Sequence, residues 1–187
     1  MSALLEKISD RINTLLHRWR YPRVQWGKGV LIRGRLIIKG PGRVTIGDGC
    51  YFAAESRRPN KITTGGEQVS ISIGSRCYLN GAELTARASI AVGEGCMIGE
   101  ALVMDTDFHS VEIGRHESGA AVKNHPVHIA ENVWIGTGAM ILKGVTIGKN
   151  SVVGAAAVVR QAVPENVVVI GNPAQIVKHL TTNAEAK

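Results

Sequence analysis

Aliphatic residues fall at every sixth position through the second half of the chain, at Ile129, Ile135, Ile141, Ile147, Val153 and Val159. A second row lies two residues before each of them. It runs Val127, Val133, Ala139, Val145, Ser151 and Ala157, small or β-branched throughout. A period of six fits neither the 3.6 of an amphipathic helix nor the 2 of a simple strand. It is the period of a hexapeptide β-helix, in which each hexad supplies one short strand and one corner.

The same unit recurs upstream. Ile46-Gly-Asp-Gly-Cys, Ile73-Gly-Ser-Arg-Cys and Val92-Gly-Glu-Gly-Cys align with Ile129-Ala-Glu-Asn-Val and Ile147-Gly-Lys-Asn-Ser. The fourth position is Gly or Asn in all but one copy, as a corner in the left-handed conformation requires; Arg76 is the exception. The 18 residues from Ile129 to Ile147 make one triangular coil of three hexads, and the 19 from Ile73 to Val92 a coil with one bulge. The 27 from Ile46 to Ile73 predict a coil plus an excursion around Ser56–Gly66. The 37 from Val92 to Ile129 predict a coil plus a polar insertion over Asp105–Pro126, and a long non-repetitive loop in a solenoid is where function resides. Residues 31–177 are thus expected to form the β-helix domain, and 178–187 a polar, fraying tail.

Residues 1–30 have a different pattern. Leu4, Leu5, Ile8, Ile12, Leu15, Leu16 and Trp19 form one stripe of an amphipathic helix over 3–19, ended by Tyr21-Pro22. One reading packs this helix on the end of the coil, where it shields the first coil's edge. The other lays it on a membrane, because residues 1–35 hold eight Lys or Arg against Glu6 and Asp10 and carry +6 of the chain's +7. The basic segment has no nucleic-acid-binding motif, so an anionic surface or phosphorylated ligand is the better partner.

Composition adds three constraints. Aromatics are only 4% of the chain, as suits a narrow stacked core of Ile, Val, Leu and Ala. No apolar run approaches the roughly 20 residues of a membrane span. No secretory leader pattern is present, so a cytoplasmic protein is expected. Cys50, Cys77 and Cys96 occupy equivalent positions of the unit, later taken by Val133 and Ser151, and read as small inward fillers rather than metal ligands or disulfide partners.

The runs N-V-W-I-G at Asn132–Gly136, V-T-I-G at Val145–Gly148, G-A at Gly154-Ala155 and G-N-P-A at Gly171–Ala174 together resemble the hexapeptide-repeat acyltransferases. The nearest branch is the acetyl-CoA-dependent sugar O-acetyltransferases of galactoside, maltose and polysaccharide type, and the resemblance covers Ile71–Val177. It implies an all-β, left-handed parallel β-helix with a protruding loop, assembled as a homotrimer with active sites between subunits. It implies acetyl-CoA as acyl donor, no metal, and a saccharide or nucleotide-linked sugar as acceptor; a lipid-linked sugar is suggested by the basic N-terminal helix alone. The family's catalytic histidine matches His109 in Asp105–Ser110, and its acceptor-site asparagine matches Asn80. Positions along the pantetheine arm match Trp134, Gly136, Thr137 and Ala155, and the proline near the adenine matches Pro173. Where many relatives have Thr-Lys, this chain has Arg160-Gln161, with Arg160 as the candidate to replace the lysine that meets the phosphates. The helical segments typical of the maltose, galactoside and serine enzymes have no counterpart in this sequence, which leaves the acceptor open.

Acetyl transfer from a thioester to a hydroxyl requires removal of the hydroxyl proton as the oxygen attacks, a task for a neutral imidazole. A carboxylate on the other ring nitrogen would fix its tautomer. Asp107 is the first candidate and Asp105 the second, the latter also placed to contact the acceptor; a backbone carbonyl serves equally. A backbone N–H at Gly136 or Thr137 would meet the oxyanion. Trp134 points outward, because Val133 and Ile135 take the inward positions. Two rivals share the repeat. A zinc enzyme of γ-carbonic-anhydrase type would draw on His109, His116, His125 and His128, which lie in one insertion and its exit rather than on successive coils. A non-catalytic trimeric module would bind no acyl-CoA.

Overall fold

The computed structural model describes residues 3–53 and 58–181, apart from the side chains of 3–5 and 7. After the helix Ala3–Arg20, the described residues form twenty short strands in three sheets, and each complete coil gives one strand to each sheet. The first face carries Gln25–Trp26, Arg43–Ile46, Ser70–Ile73, Ser89–Val92, Val127–Ile129 and Thr146–Ile147. The second carries Leu31–Ile32, Tyr51–Ala53, Tyr78–Asn80, Met97–Ile98, Trp134–Ile135, Val152–Val153 and Val167–Ile170. The third carries Leu36–Lys39, Asn60–Thr64, Glu83–Ala86, Leu102–Met104, Met140–Ile141 and Val158–Val159. All these strands pair in parallel, with Ile46, Ile73, Val92, Ile129 and Ile147 in one register column.

Both rows of the hexad pattern face inward, none of the twelve residues more than 1% exposed. The cysteines lie in the same interior column, free and buried. Each thiol donates to a carbonyl of the next coil, Cys50 to Gly74, Cys77 to Gly93 and Cys96 to Ala130, and the Ser151 hydroxyl repeats the contact with Pro164 at 2.7 Å. The column therefore needs a small side chain that can also satisfy a corner carbonyl.

The corner between the first and second faces has the predicted left-handed residue in every copy, Gly49, Gly95, Asn132 and Asn150 among them. Arg76 adopts it too, at φ 57°, and pairs with Glu94. Asn132, Asn150 and Asn166 link amide to amide along this corner at 3.0 and 2.7 Å.

Three boundaries differ from the sequence reading. The first coil begins at Gln25, because Gln25–Trp26 pairs with Thr45 and Ile46. The stretch expected as an excursion contains the strand Asn60–Thr64, and residues 65–69 turn from it to the next coil; 54–57 lie outside the described residues. The chain end folds back as Gln175–His179, antiparallel to Val167–Ile170, so His179 is a paired strand residue; 182–187 lie outside the described residues.

The outward rows differ in chemistry. On the first face they read Thr45, Ser72, Ala91, His128 and Thr146; on the second Tyr51, Tyr78, Met97, Trp134 and Val152. The third changes along its length, from the Lys61–Glu83 ion pair to Leu102, Met140 and Val158. Apolar surface thus gathers on both sides of the corner between the second and third faces, in the last three coils.

Candidate active site

The third-face strand Leu102–Met104 runs out into the insertion, and its foot is pinned by several contacts. Thr106 bridges Asn124, the His125 N–H donates to the Asp105 carbonyl at 2.8 Å, and the Asp107 N–H donates to the Lys123 carbonyl at 3.2 Å. The Asp105 carboxylate is wholly buried and accepts the backbone N–H groups of Arg87 and Ala88 at 2.6 and 2.7 Å. Burial raises its carboxyl above the usual carboxylate range, opposed by those two donors. Asp105 therefore clamps the loop to the preceding coil, with no oxygen turned toward an acceptor.

Asp107 also departs from its expected role. Its carboxylate accepts from Lys143 Nζ at 2.6 Å, a half-buried ion pair between the loop and the next coil. The expected partner, the His109 ring, is replaced by a lysine 36 residues away. Lys143 was missed in the sequence because its only signal is the folded path of the loop. Between Asp107 and His109 stands Phe108 at φ 61°, its N–H held by Thr106 Oγ1 at 3.0 Å. A bulky residue in that region is strained, on the order of 1–3 kcal/mol, and persists only where its surroundings impose it. His109 follows, exposed, its N–H on the Asp107 carbonyl at 2.7 Å. Beyond it the loop holds Val111 and Ile113 in solvent, Ile113 at 98% exposure.

The other expected residues lie across the third face. Asn80 ends the strand Tyr78–Asn80, and its Oδ1 is buried without a hydrogen-bond partner among the described residues. Trp134 projects from the second face, 51% exposed, as the alternation of the strand requires. At the following corner the Gly136 N–H is consumed by the Val153 carbonyl at 2.8 Å, which removes it as an oxyanion donor. The Thr137 carbonyl accepts from Ala156, but no acceptor among the described residues takes the Thr137 N–H. A Cβ on Gly136 would lie 2.8 Å from the Ala155 nitrogen, so only glycine lets these coils stack. Arg160 leaves the third-face strand Val158–Val159 on the loop side, exposed. Pro173 sits in the rung Gly171–Ala174, which bonds to both backbone groups of Val158.

One protomer thus separates the set. His109, Asp107, Lys143 and Arg160 lie at the corner where the third face returns to the first. Asn80, Gly136, Thr137 and Ala155 lie at the corner where the second turns into the third. The intervening strand Glu83–Ala86 alone spans about 10 Å at roughly 3.3 Å per residue. Among the described residues no three of His, Cys, Asp or Glu are grouped to hold a metal ion.

Residues 126–161 match the family model of the bacterial transferase hexapeptide, six repeats. A galactoside O-acetyltransferase of Lactococcus lactis is 37% identical over 131 residues, 70% of this chain and 60% of that protein. Among solved structures, AntD, an N-acyltransferase from Bacillus cereus in complex with dTDP and 3-hydroxybutyryl-CoA, superposes with a TM-score of 0.72 at 20% identity, over 91% of each chain. A galactoside acetyltransferase in complex with coenzyme A does so at 0.58 and 20%, over 88% of this chain and 70% of that one. The chain folds as a left-handed parallel β-helix, and residues 126–161 carry the hexapeptide repeats of that bacterial transferase model. It spans 60%, 44% and 57% of the length of three curated relatives.

Proposed function

We propose that the protein is an acetyl-CoA-dependent O-acetyltransferase that acetylates a hydroxyl of a saccharide or glycan precursor, with His109 as general base. The observation that carries this reading is the mounting of His109: an exposed imidazole directly after a strained residue, on a loop foot fixed to two coils. Strain kept in place by so many contacts marks a position where geometry matters more than stability. The relative named a galactoside O-acetyltransferase supports the acceptor class, and the neighbour bound to coenzyme A supports the donor.

In this mechanism the acceptor oxygen attacks the thioester carbonyl while its proton passes to the His109 ring. The tetrahedral oxyanion is met by the unpaired Thr137 N–H. Collapse breaks the C–S bond, and the imidazolium returns the proton to the departing thiolate. Both substrates meet in one ternary complex, and no covalent enzyme intermediate is needed. Trp134, Gly136 and Ala155 would border the pantetheine arm, Pro173 the adenine, and Arg160 the phosphates. Asn80, partly exposed at the end of its strand, would orient the acceptor.

Since His109 and Thr137 stand at opposite corners of one protomer, we assign the complete site to a homotrimer in which the loop corner of one copy meets the glycine corner of the next. The apolar outward rows beside Trp134 and Met140 and the exposed Val111 and Ile113 support such contacts. No helix among the described residues is long and apolar enough to cross a membrane. We place the protein in the cytoplasm, in peripheral contact with a membrane through its N-terminal helix.

The test is thiol release from acetyl-CoA across sugars, amino sugars and nucleotide-sugars, with wild type beside His109→Ala. Acceptor-dependent release that falls about 10²–10⁴-fold in the variant, with coenzyme A binding retained by calorimetry, is expected. No release with any acceptor and no coenzyme A binding would overturn the reading.

A further inference from the structure

The N-terminal helix is mounted with its polar side inward. Asp10 and Thr14 are buried, and the Asn13 amide donates to the carbonyls of Ile32 and Gly34, both at 2.9 Å. Thr14 Oγ1 accepts the Ile32 N–H at 2.9 Å, and His17 Nε2 accepts the Leu36 N–H at 3.4 Å. These side chains satisfy the bare backbone edge of the first coil. The opposite stripe, Ile8, Ile12, Leu15, Leu16 and Trp19, is left in solvent, from 46% exposed at Ile8 to 83% at Trp19.

The charge around that stripe has one sign. Glu6 and Asp10, the two acids of residues 1–35, both lie on Arg33, at 3.7 and 2.9 Å. Arg11 and Arg20 flank the stripe on its two sides, and Arg35 lines the open groove of about 860 Å³ beneath Ile8, Ile12 and Leu16. None of these three has a carboxylate within ion-pair distance among the described residues, and Arg23 and Lys28 add to the same field. A second copy docked stripe to stripe would bring these cations together with no free acid to meet them. An apolar stripe edged by unpaired cations fits the interface of an anionic lipid bilayer.

We infer that the N-terminal helix is an interfacial membrane anchor, fixed to the coil by Asn13, Thr14 and His17 and inserting Ile8, Ile12, Leu15, Leu16 and Trp19 among acidic lipids. This deepens the membrane contact proposed above and rests on that reading, but it requires nothing of His109. The experiment is co-sedimentation of the full chain with vesicles of phosphatidylglycerol and phosphatidylcholine, against phosphatidylcholine alone. Partitioning is expected onto the acidic vesicles only, reduced at least about tenfold by raising salt from 0.05 to 0.5 M or by Arg11→Glu with Arg20→Glu. Ile12→Glu with Trp19→Glu should abolish it, while thermal melting and thiol release with a soluble acceptor stay unchanged, so that loss of anchoring and loss of catalysis are read separately. No binding at low salt, or equal binding to both vesicle types, overturns the inference. So does a wild-type oligomer that Trp19→Glu dissociates without any vesicle binding, because a second copy would then cover the stripe.

Discussion

Lys143 and Asp107 are each exposed by less than a third, and their 2.6 Å ion pair is, among the described residues, the one side-chain ion pair between the loop foot and the coil that follows. Among the described residues the carboxylate bonds to Lys143 and not to the His109 ring, so its effect on catalysis should pass through the position of the loop. Asp107→Asn and Lys143→Met are then expected to lower kcat by a similar factor, about tenfold each, with little change in coenzyme A affinity. The double variant should be no worse than either single one, since both remove the same interaction. If Asp107→Asn alone costs a hundredfold or more while Lys143→Met is mild, the carboxylate acts on the imidazole itself. A neighbouring aspartate was a fair expectation from the sequence, because carboxylates commonly orient catalytic imidazoles. The partner lies 36 residues downstream on another coil, and only the folded loop brings the two together.

At the scale of elements, the hexad rows were legible because each inward position has the same size limit in every coil, whatever the loops between them do. The helix was legible as a helix but not in its orientation. The rule that an apolar stripe faces the protein assumes an apolar surface to receive it. The end of a β-helix offers backbone N–H and C=O groups instead, and burying these without partners costs more than exposing a few aliphatic side chains. The signal was present in Asp10, Asn13, Thr14 and His17, four polar residues at helical spacing on one side. It follows that Thr14→Val, which keeps the shape and removes the acceptor, should leave the Ile32 N–H buried and unpaired. The expected loss is about 1–3 kcal/mol by denaturant unfolding. Leu15→Ser on the exposed stripe should change stability by less than about 0.5 kcal/mol. The reverse ranking would mean that the stripe, not the polar side, holds the helix.

For the whole molecule, a triangular prism whose complementary groups sit at two different corners has a heterologous interface, and such an interface closes into a ring when the rotation allows. In the homotrimer proposed above, the loop edge would present His109, and the glycine edge of the neighbour Thr137 and Asn80. Asn80, proposed above to orient the acceptor and only partly buried, makes this arrangement testable. Asn80→Leu and His109→Ala should each be inactive as homotrimers. Co-expression mixes the chains, and at one interface in about four an intact His109 from one chain faces an intact Asn80 from the other. Activity is expected to return to about a quarter of the wild-type level. Chains purified separately and mixed below their exchange temperature should stay inactive. If co-expressed chains show no recovery while size-exclusion and mass measurements show mixed trimers, His109 and Asn80 serve the same protomer's site, and the loop must bend across its own third face to reach it.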